Sequence, residues 1–79
     1  MQSNVLAETE TFTVISWGNG TCYAFVNKLK KMDVFFQGDD AAIFRKEWEA
    51  RETAFPSASQ EDILGEIWSN YSEVAQAIY

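Results

Sequence analysis

The clearest periodic pattern in the chain lies in residues 59–78, which read S-Q-E-D-I-L-G-E-I-W-S-N-Y-S-E-V-A-Q-A-I. At about 100° per residue, the apolar side chains of this stretch fall on one broad stripe. The members of the stripe are Ile63, Leu64, Ile67, Trp68, Tyr71, Val74, Ala75 and Ile78. An apolar stripe of this width must be buried in a folded domain. The pattern therefore predicts an amphipathic helix that runs nearly to the C-terminus and seals the core.

A first helix is predicted upstream of this one. Residues 38–40, Gly-Asp-Asp, permit a sharp exit from a strand and place acidic side chains at a helix N-terminus, so this helix should begin near residue 40. Pro56 disfavours helical geometry at the residue before it, and Ser57 with Gln60 fits a capping box for the second helix. One face of the first helix carries Ala41, Phe44, Trp48 and Phe55.

Three strands are predicted before the helices. Residues 10–17, E-T-F-T-V-I-S-W, are rich in β-branched and aromatic side chains and alternate in polarity. Residues 18–20, G-N-G, suit a hairpin turn, and residues 21–26 resume strand-like composition. After a lysine-rich turn, residues 32–37, M-D-V-F-F-Q, form the third strand. This order predicts a meandering antiparallel sheet.

The sequence thus predicts an α+β fold in which a three-stranded antiparallel sheet is followed by two helices packed on one face, in the order β-β-β-α-α. Residues 1–9 are polar with little periodicity and are expected to be a loose N-terminal lead-in. Residues 10–79 form a single α+β domain, because a chain of 79 residues rarely holds a second core.

Most side-chain chemistry that operates near neutral pH is absent. The chain has no histidine and one cysteine, Cys22, which suits a buried position in a strand. Asp33, Asp39 and Asp40 lack the spacing of a calcium loop and are interpreted as turn and capping residues. No pair of base and nucleophile can be named. The sequence predicts that the protein is not an enzyme and binds no cofactor or metal.

The acidic charge is concentrated in the helices. The net charge is −6, and residues 40–79 hold eight acidic against three basic side chains. One interpretation is a solvated surface that keeps a small domain soluble. The other is an anionic face that docks on a basic protein surface, such as a groove built for nucleic acid, with attraction that weakens as salt screens it. The candidate contacts are Glu47, Glu49, Glu52, Asp62, Glu66 and Glu73.

The same charge argues against other partners. Phosphate backbones and anionic membranes both favour basic surfaces, so neither direct nucleic-acid binding nor membrane binding is expected. The N-terminal residues 1–8 show no basic segment followed by an apolar run, which favours a cytoplasmic location.

Twelve aromatic residues are a large number for a domain of this size. Most are expected in the core between sheet and helices. Trp17, Tyr23 or Trp48 could instead line a binding patch. The alternative function is therefore a structural or interaction module that self-associates through exposed aromatics, as a homodimer whose stability does not depend on salt.

In general character the chain resembles the small acidic proteins by which phages inhibit host defence, of which anti-CRISPR proteins are the best-known group. The resemblance rests on the length of 79 residues, the excess of Glu and Asp in the helices, the compact order of strands and helices, and the absence of catalytic residues. It implies a non-enzymatic inhibitor or regulator that binds a CRISPR effector in the host cytoplasm. The resemblance also implies that the protein would act as a DNA mimic, on the surface of the effector that DNA would use.

Overall fold

The computed structural model of the protein describes residues 3–18 and 21–77. Within these residues an antiparallel sheet has its strands in chain order, with two helices between the fourth and fifth strands. The strands are β1 (Ser3–Glu8), β2 (Phe12–Trp17), β3 (Cys22–Asn27), β4 (Met32–Gln37) and β5 (Gln76–Ala77). The helices are α1 (Asp39–Ala54) and α2 (Gln60–Tyr71), and a short 3-10 helix (Ser72–Val74) follows α2.

The predicted three-stranded sheet is wrong, because four strands precede the helices. The additional strand, β1, lies in the segment 1–9 that was expected to be a loose lead-in. It pairs with β2 from Ser3 opposite Trp17 to Glu8 opposite Thr13, with a shift of register between Val5 and Ala7. The strand is mostly exposed and has little alternation of its own. Backbone pairing with the edge of β2 therefore forms it, and local sequence pattern does not reveal such pairing.

The second helix ends earlier than the periodicity predicts. It begins after Ser59, whose hydroxyl accepts a hydrogen bond of 3.2 Å from the backbone N–H of Asp62. It ends at Tyr71 because the chain turns through the 3-10 helix and returns to pair with β4. Val74 is consequently 63% exposed instead of buried. The predicted stripe member Ile78 lies outside the described residues, as do Asn19 and Gly20 of the predicted hairpin turn.

Helix α1 buries the first part of its predicted face and exposes the last member. Gly38 precedes the helix with φ at 60°, a left-handed geometry that glycine adopts without strain. Phe44 is fully buried, whereas Phe55, just beyond the end of the helix, is 54% exposed. α1 has 16 residues and α2 has 12. Throughout residues 3–18 and 21–77, the helices are too short or too polar to span a bilayer.

The core lies between both helices and one face of the sheet, which we call the inner face. Alternate residues of each strand point to this face, as the burial of β2 shows. Strands β2 to β4 contribute Phe12, Val14, Tyr23, Phe25, Val34 and Phe36. The helices contribute Ala41, Phe44, Trp48, Ile63, Leu64, Ile67 and Trp68. Since both helices cover the inner face, the opposite outer face of the sheet carries no helix from the described part of the chain.

Candidate functional site

Arg51 connects two of the predicted contact residues within the molecule. Its Nη1 lies 2.6 Å from Oε2 of Glu66 on α2, and its Nη2 lies 3.6 Å from Oε1 of Glu47 on α1. Glu47 also accepts a hydrogen bond of 2.7 Å from Asn70 Nδ2 and one of 3.2 Å from the Tyr71 hydroxyl. Glu47 and Glu66 therefore hold the two helices together around one guanidinium.

Two further predicted contacts are also engaged inside the chain. Oε1 of Glu49 lies 3.6 Å from Nε of Arg45, one helical turn earlier on α1. Glu52 accepts a hydrogen bond of 2.6 Å from Gln60 Nε2, and Oε1 of Gln60 accepts one of 3.1 Å from the Trp48 indole N–H. The two contacts of Gln60 fix the junction between α1 and α2.

The predicted acidic face is thus not a continuous row of available carboxylates. Four of its six members bond to side chains of the same molecule. The remaining two, Asp62 and Glu73, are exposed and stand near opposite ends of α2, Asp62 in its first turn and Glu73 in the 3-10 helix beyond its C-terminal end. Attraction of a basic partner by these helices is weakened, because the cations of Arg45 and Arg51 offset the nearest carboxylates.

A different carboxylate, Glu61, links α2 to the turn between β1 and β2. The backbone N–H of Thr11 donates a hydrogen bond of 3.2 Å to Oε1 of Glu61. Hydrogen bonds from Thr11 and Thr9, together with the charge of Lys28, hold the pKa of the Glu61 carboxyl below its ordinary value of 4.5. The bonds favour the ionised form in the folded protein, so protonation of Glu61 opposes folding.

Replacement of Glu61 by Gln should reduce the loss of stability in acid. Because the pKa is lower in the folded state, the contribution of Glu61 is complete above the unfolded value of 4.5 and disappears as pH falls through the folded value. Urea unfolding between about pH 7 and pH 3 measures the slope of the free energy of unfolding against pH. Asp62→Asn, one position along, makes the same change of carboxylate to amide without the hydrogen bond from Thr11 and is the control. Equal slopes for Glu61→Gln and the parent would contradict the assignment.

The outer face of the sheet carries its side chains in three rows that cross the four strands. The central row, which we call the apolar row, joins Val5, Ile15, Ala24 and Phe35 by direct cross-strand pairing. Val5 is 60% exposed and Phe35 is 56% exposed. Neighbours across strands approach to about 5 Å, so these four side chains form one continuous apolar surface.

The two outer rows differ in charge. One contains Ser3, Trp17, Cys22 and Gln37, and the other contains Glu8, Thr13, Val26 and Asp33. Both carboxylates of this face therefore lie in the same row at one end of the sheet. Glu8 is paired with Lys28 at 3.3 Å. The other end and the centre of the face carry no charged side chain in the described residues.

The aromatic residues predicted to line a binding patch divide between the two faces. Tyr23 and Trp48 are buried in the core, with 4% and 5% of their surfaces exposed. Trp17 lies on the outer face, where its ring centroid is 6.1 Å from that of Phe35. No family model, curated protein or solved structure matches this chain. The resemblance to anti-CRISPR inhibitors stays a prediction, and the local geometry carries the functional inference.

Phe35 and Val5 were not among the predicted site residues. The alternation of M-D-V-F-F-Q in residues 32–37 contains a signal for Phe35, since Val34 and Phe36 on one face imply that Phe35 lies on the other. With β1 unrecognised, Val5 had no place in a sheet. Cys22 is half-buried on the outer face and not in the core. Among residues 3–18 and 21–77, no group of three or more Cys, Asp or Glu side chains is arranged to hold a metal ion.

Proposed function

We propose that the protein is a non-enzymatic interaction module that self-associates, sheet against sheet, through the outer face of β1–β4. The observation that carries the proposal is the apolar row of Val5, Ile15, Ala24 and Phe35, which no helix in the described part of the chain covers. Removal of such a surface from water lowers the free energy of the protein. Two sheets that pack face to face provide the geometry for this burial.

The distribution of charge supports a second copy of the same chain as the occupant. Two copies can be related by a two-fold axis that lies between the sheets and runs perpendicular to the strands. This arrangement places the acidic end of one sheet against the uncharged end of the other. Glu8 and Asp33 then meet the row of Ser3, Trp17, Cys22 and Gln37 instead of their own copies. An isologous contact of this kind closes as a dimer. The uncharged centre lets the two apolar rows meet although each chain carries a net charge of −6.

The size of the face sets the expected affinity. Four strands of six residues give a footprint of about 19 by 20 Å, from ordinary strand spacing and rise. Two such faces remove on the order of 800 Å² of projected surface, which is at the low end for specific interfaces. We therefore expect a weak dimer, with a dissociation constant in the micromolar range or above.

Sedimentation velocity between about 5 and 500 μM tests the proposal. The parent should shift from monomer to dimer across this range. The protein concentration at which half of the chains are dimeric should not increase as salt is raised. Val5→Asp places a charge in the apolar row and should weaken association at least about tenfold. Phe55→Asp is the matched control, because it adds the same charge at an exposed phenylalanine away from the sheet and should associate like the parent.

Two results would overturn the dimer. One is a parent that stays monomeric at every concentration, and the other is association that Phe55→Asp weakens as much as Val5→Asp. The thiol of Cys22 gives a second readout, because it lies on the same face and its labelling should slow as the dimer forms.

The inhibitor or regulator that binds a basic protein surface through the acidic helices is the alternative function. It is favoured by the exposed carboxylates of Asp62 and Glu73, and weakened by the internal contacts of Glu47, Glu49, Glu52 and Glu66. The two functions differ in their response to salt. Binding through the acidic face weakens as salt rises, whereas packing of the apolar rows does not.

A further inference from the structure

A second surface, which shares Phe35 and Asp33 with the outer face, is a cleft of about 500 Å³ beside β4. Its walls are the edge of β4, the first turns of α1, and the C-terminal end of α2 with the 3-10 helix. We call it the β4 cleft. The lining residues used below are Asp33, Phe35, Asp40, Ile43, Tyr71 and Val74.

The β4 cleft gathers exposed apolar side chains from three elements. Phe35 of β4 and Ile43 of α1 are each 56% exposed, and Val74 of the 3-10 helix is 63% exposed. Side chains of this size are singly scattered on ordinary surfaces. Their convergence on one concave site marks a place where an apolar group of a ligand removes surface from water.

The backbone of β4 is also open on the side that borders the cleft. β4 pairs with β3 along all six of its residues, from Met32 to Gln37. In the described chain, its pairing with β5 covers only Met32 and Asp33. The stretch 34–37 therefore presents an unpaired strand edge about 13 Å long, at an ordinary rise per residue. Such an edge accepts an additional strand.

The charge of the β4 cleft is acidic. Asp33 and Asp40 line it, and no lysine or arginine among residues 3–18 and 21–77 does. The hydroxyl of Tyr71 donates to Glu47 at 3.2 Å on the α2 side of the cleft. Burial, together with the negative charges of Glu47 and Asp40 and the hydrogen bond to Glu47, raises the pKa of Tyr71.

We propose that the β4 cleft binds an extended segment of a partner protein that carries lysine or arginine together with apolar residues. The segment pairs with residues 34–37 of β4 as an added strand and lies end to end with β5. Its side chains alternate between the two sides of the sheet. On the helix side they meet Ile43, Val74 and Asp40, and on the outer side they meet Phe35 and Asp33. Each side thus offers one carboxylate and an apolar contact.

This proposal does not depend on the dimer. Val5→Asp changes the far end of the outer face, on β1, and should bind the segment like the parent. Because Phe35 belongs to both surfaces, the dimer would compete with the segment, so binding is measured at protein concentrations at which the parent is monomeric. Under that condition, failure of either proposal leaves the other unaffected.

Fluorescence anisotropy of a labelled, terminally blocked peptide Val-Lys-Val-Lys-Val provides the direct test. We expect saturable binding that weakens as salt is raised, because part of the attraction is ionic. Val-Glu-Val-Glu-Val tests charge and should bind at least about tenfold more weakly. The lysine peptide with its backbone nitrogens methylated tests strand pairing and should lose binding to a similar degree, since it cannot donate backbone hydrogen bonds.

Variants of the protein locate the site. Asp40→Lys should weaken binding of the lysine peptide at least about tenfold, because it reverses a charge in the cleft. Glu10→Lys is the matched control, since it makes the same reversal of charge at an exposed residue of the turn before β2 that lines no part of the cleft. Circular dichroism checks that both variants are folded.

Three outcomes would overturn the proposal. The first is equal binding of the lysine and glutamate peptides, and the second is equal loss of binding in Asp40→Lys and Glu10→Lys. The third is competition by N-acetyl-lysine amide as effective as that of the peptide. That result would make the cleft a site for a single amine and not for an extended strand.

Discussion

Phe44→Ala is expected to lower the free energy of unfolding by about 3–5 kcal/mol, the ordinary range for a large aromatic side chain lost from a core. Phe44 is fully buried and lies at the centre of the aromatic cluster between α1 and the inner face. Its ring stacks on Phe36 with centroids 4.5 Å apart and planes 10° apart. Its other ring neighbours within 6.4 Å are Tyr23, Phe25, Trp48 and Tyr71.

The cavity left by Phe44→Ala cannot close easily. Five rings around the position belong to β3, β4, α1 and α2, so collapse onto the vacated space requires movement of both layers. A domain of 79 residues has a total stability of about 4–12 kcal/mol at the usual value per residue. The variant should therefore lose between about a quarter and all of the stability of the domain.

Urea unfolding followed by circular dichroism measures this effect. Phe55→Ala is the matched control, because it makes the same change in the residue that follows the same helix and should alter stability by no more than about 0.5 kcal/mol. The sequence assigns both phenylalanines to one face, and only the structure separates them. Equal destabilisation by the two variants would show that Phe55 is buried in solution and would refute the helix end described here.

The comparison of Phe44 with Phe55 shows which parts of the fold local sequence can predict. Helical periodicity identified the buried face of α1 correctly at Ala41, Phe44 and Trp48. It could not place the end of that face, because the exposure of Phe55 follows from how the chain leaves the helix. The residue has φ at −129°, outside helical geometry. The predicted strand of residues 32–37 agrees with β4 because both its alternation and its flanking turns are local.

β1 shows the opposite case. Its residues Ser3–Glu8 carry no strong alternation, and most are exposed. The strand exists because the edge of β2 offers a ladder of backbone groups, and pairing with this edge leaves no mark in the alternation of β1 itself. Because β1 was not predicted, the position of Val5 in the sheet and the apolar row could not be predicted from the sequence.

The candidate site was predictable only in part for the same reason. The acidic residues of the helices are visible in the composition, and the bond between Glu47 and Arg51 follows from their spacing of four residues. The bond between Arg51 and Glu66 joins two helices that the sequence cannot orient relative to each other. That tertiary contact is what converts part of a predicted docking surface into a structural link.

Ile67→Ala carries the second large expected effect, a loss of about 2–5 kcal/mol in the free energy of unfolding. Ile67 is fully buried and belongs to the cluster that joins α2 to the inner face. Removal of three carbon atoms there loses their burial and leaves a cavity in a close-packed core. Thermal unfolding should show a decrease in Tm of more than about 8 °C for a domain of this size.

Val74→Ala is the control for Ile67→Ala. Val74 belongs to the same predicted stripe as Ile67, but it lies in the 3-10 helix beyond α2 and is 63% exposed. Its replacement should change Tm little, because a mostly exposed methyl pair contributes little burial. If α2 continued as a helix toward the C-terminus, Val74 would point into the core and Val74→Ala would be strongly destabilising. A large effect at Val74 would therefore also remove β5 and the wall of the β4 cleft, so this one substitution tests the chain path on which both depend.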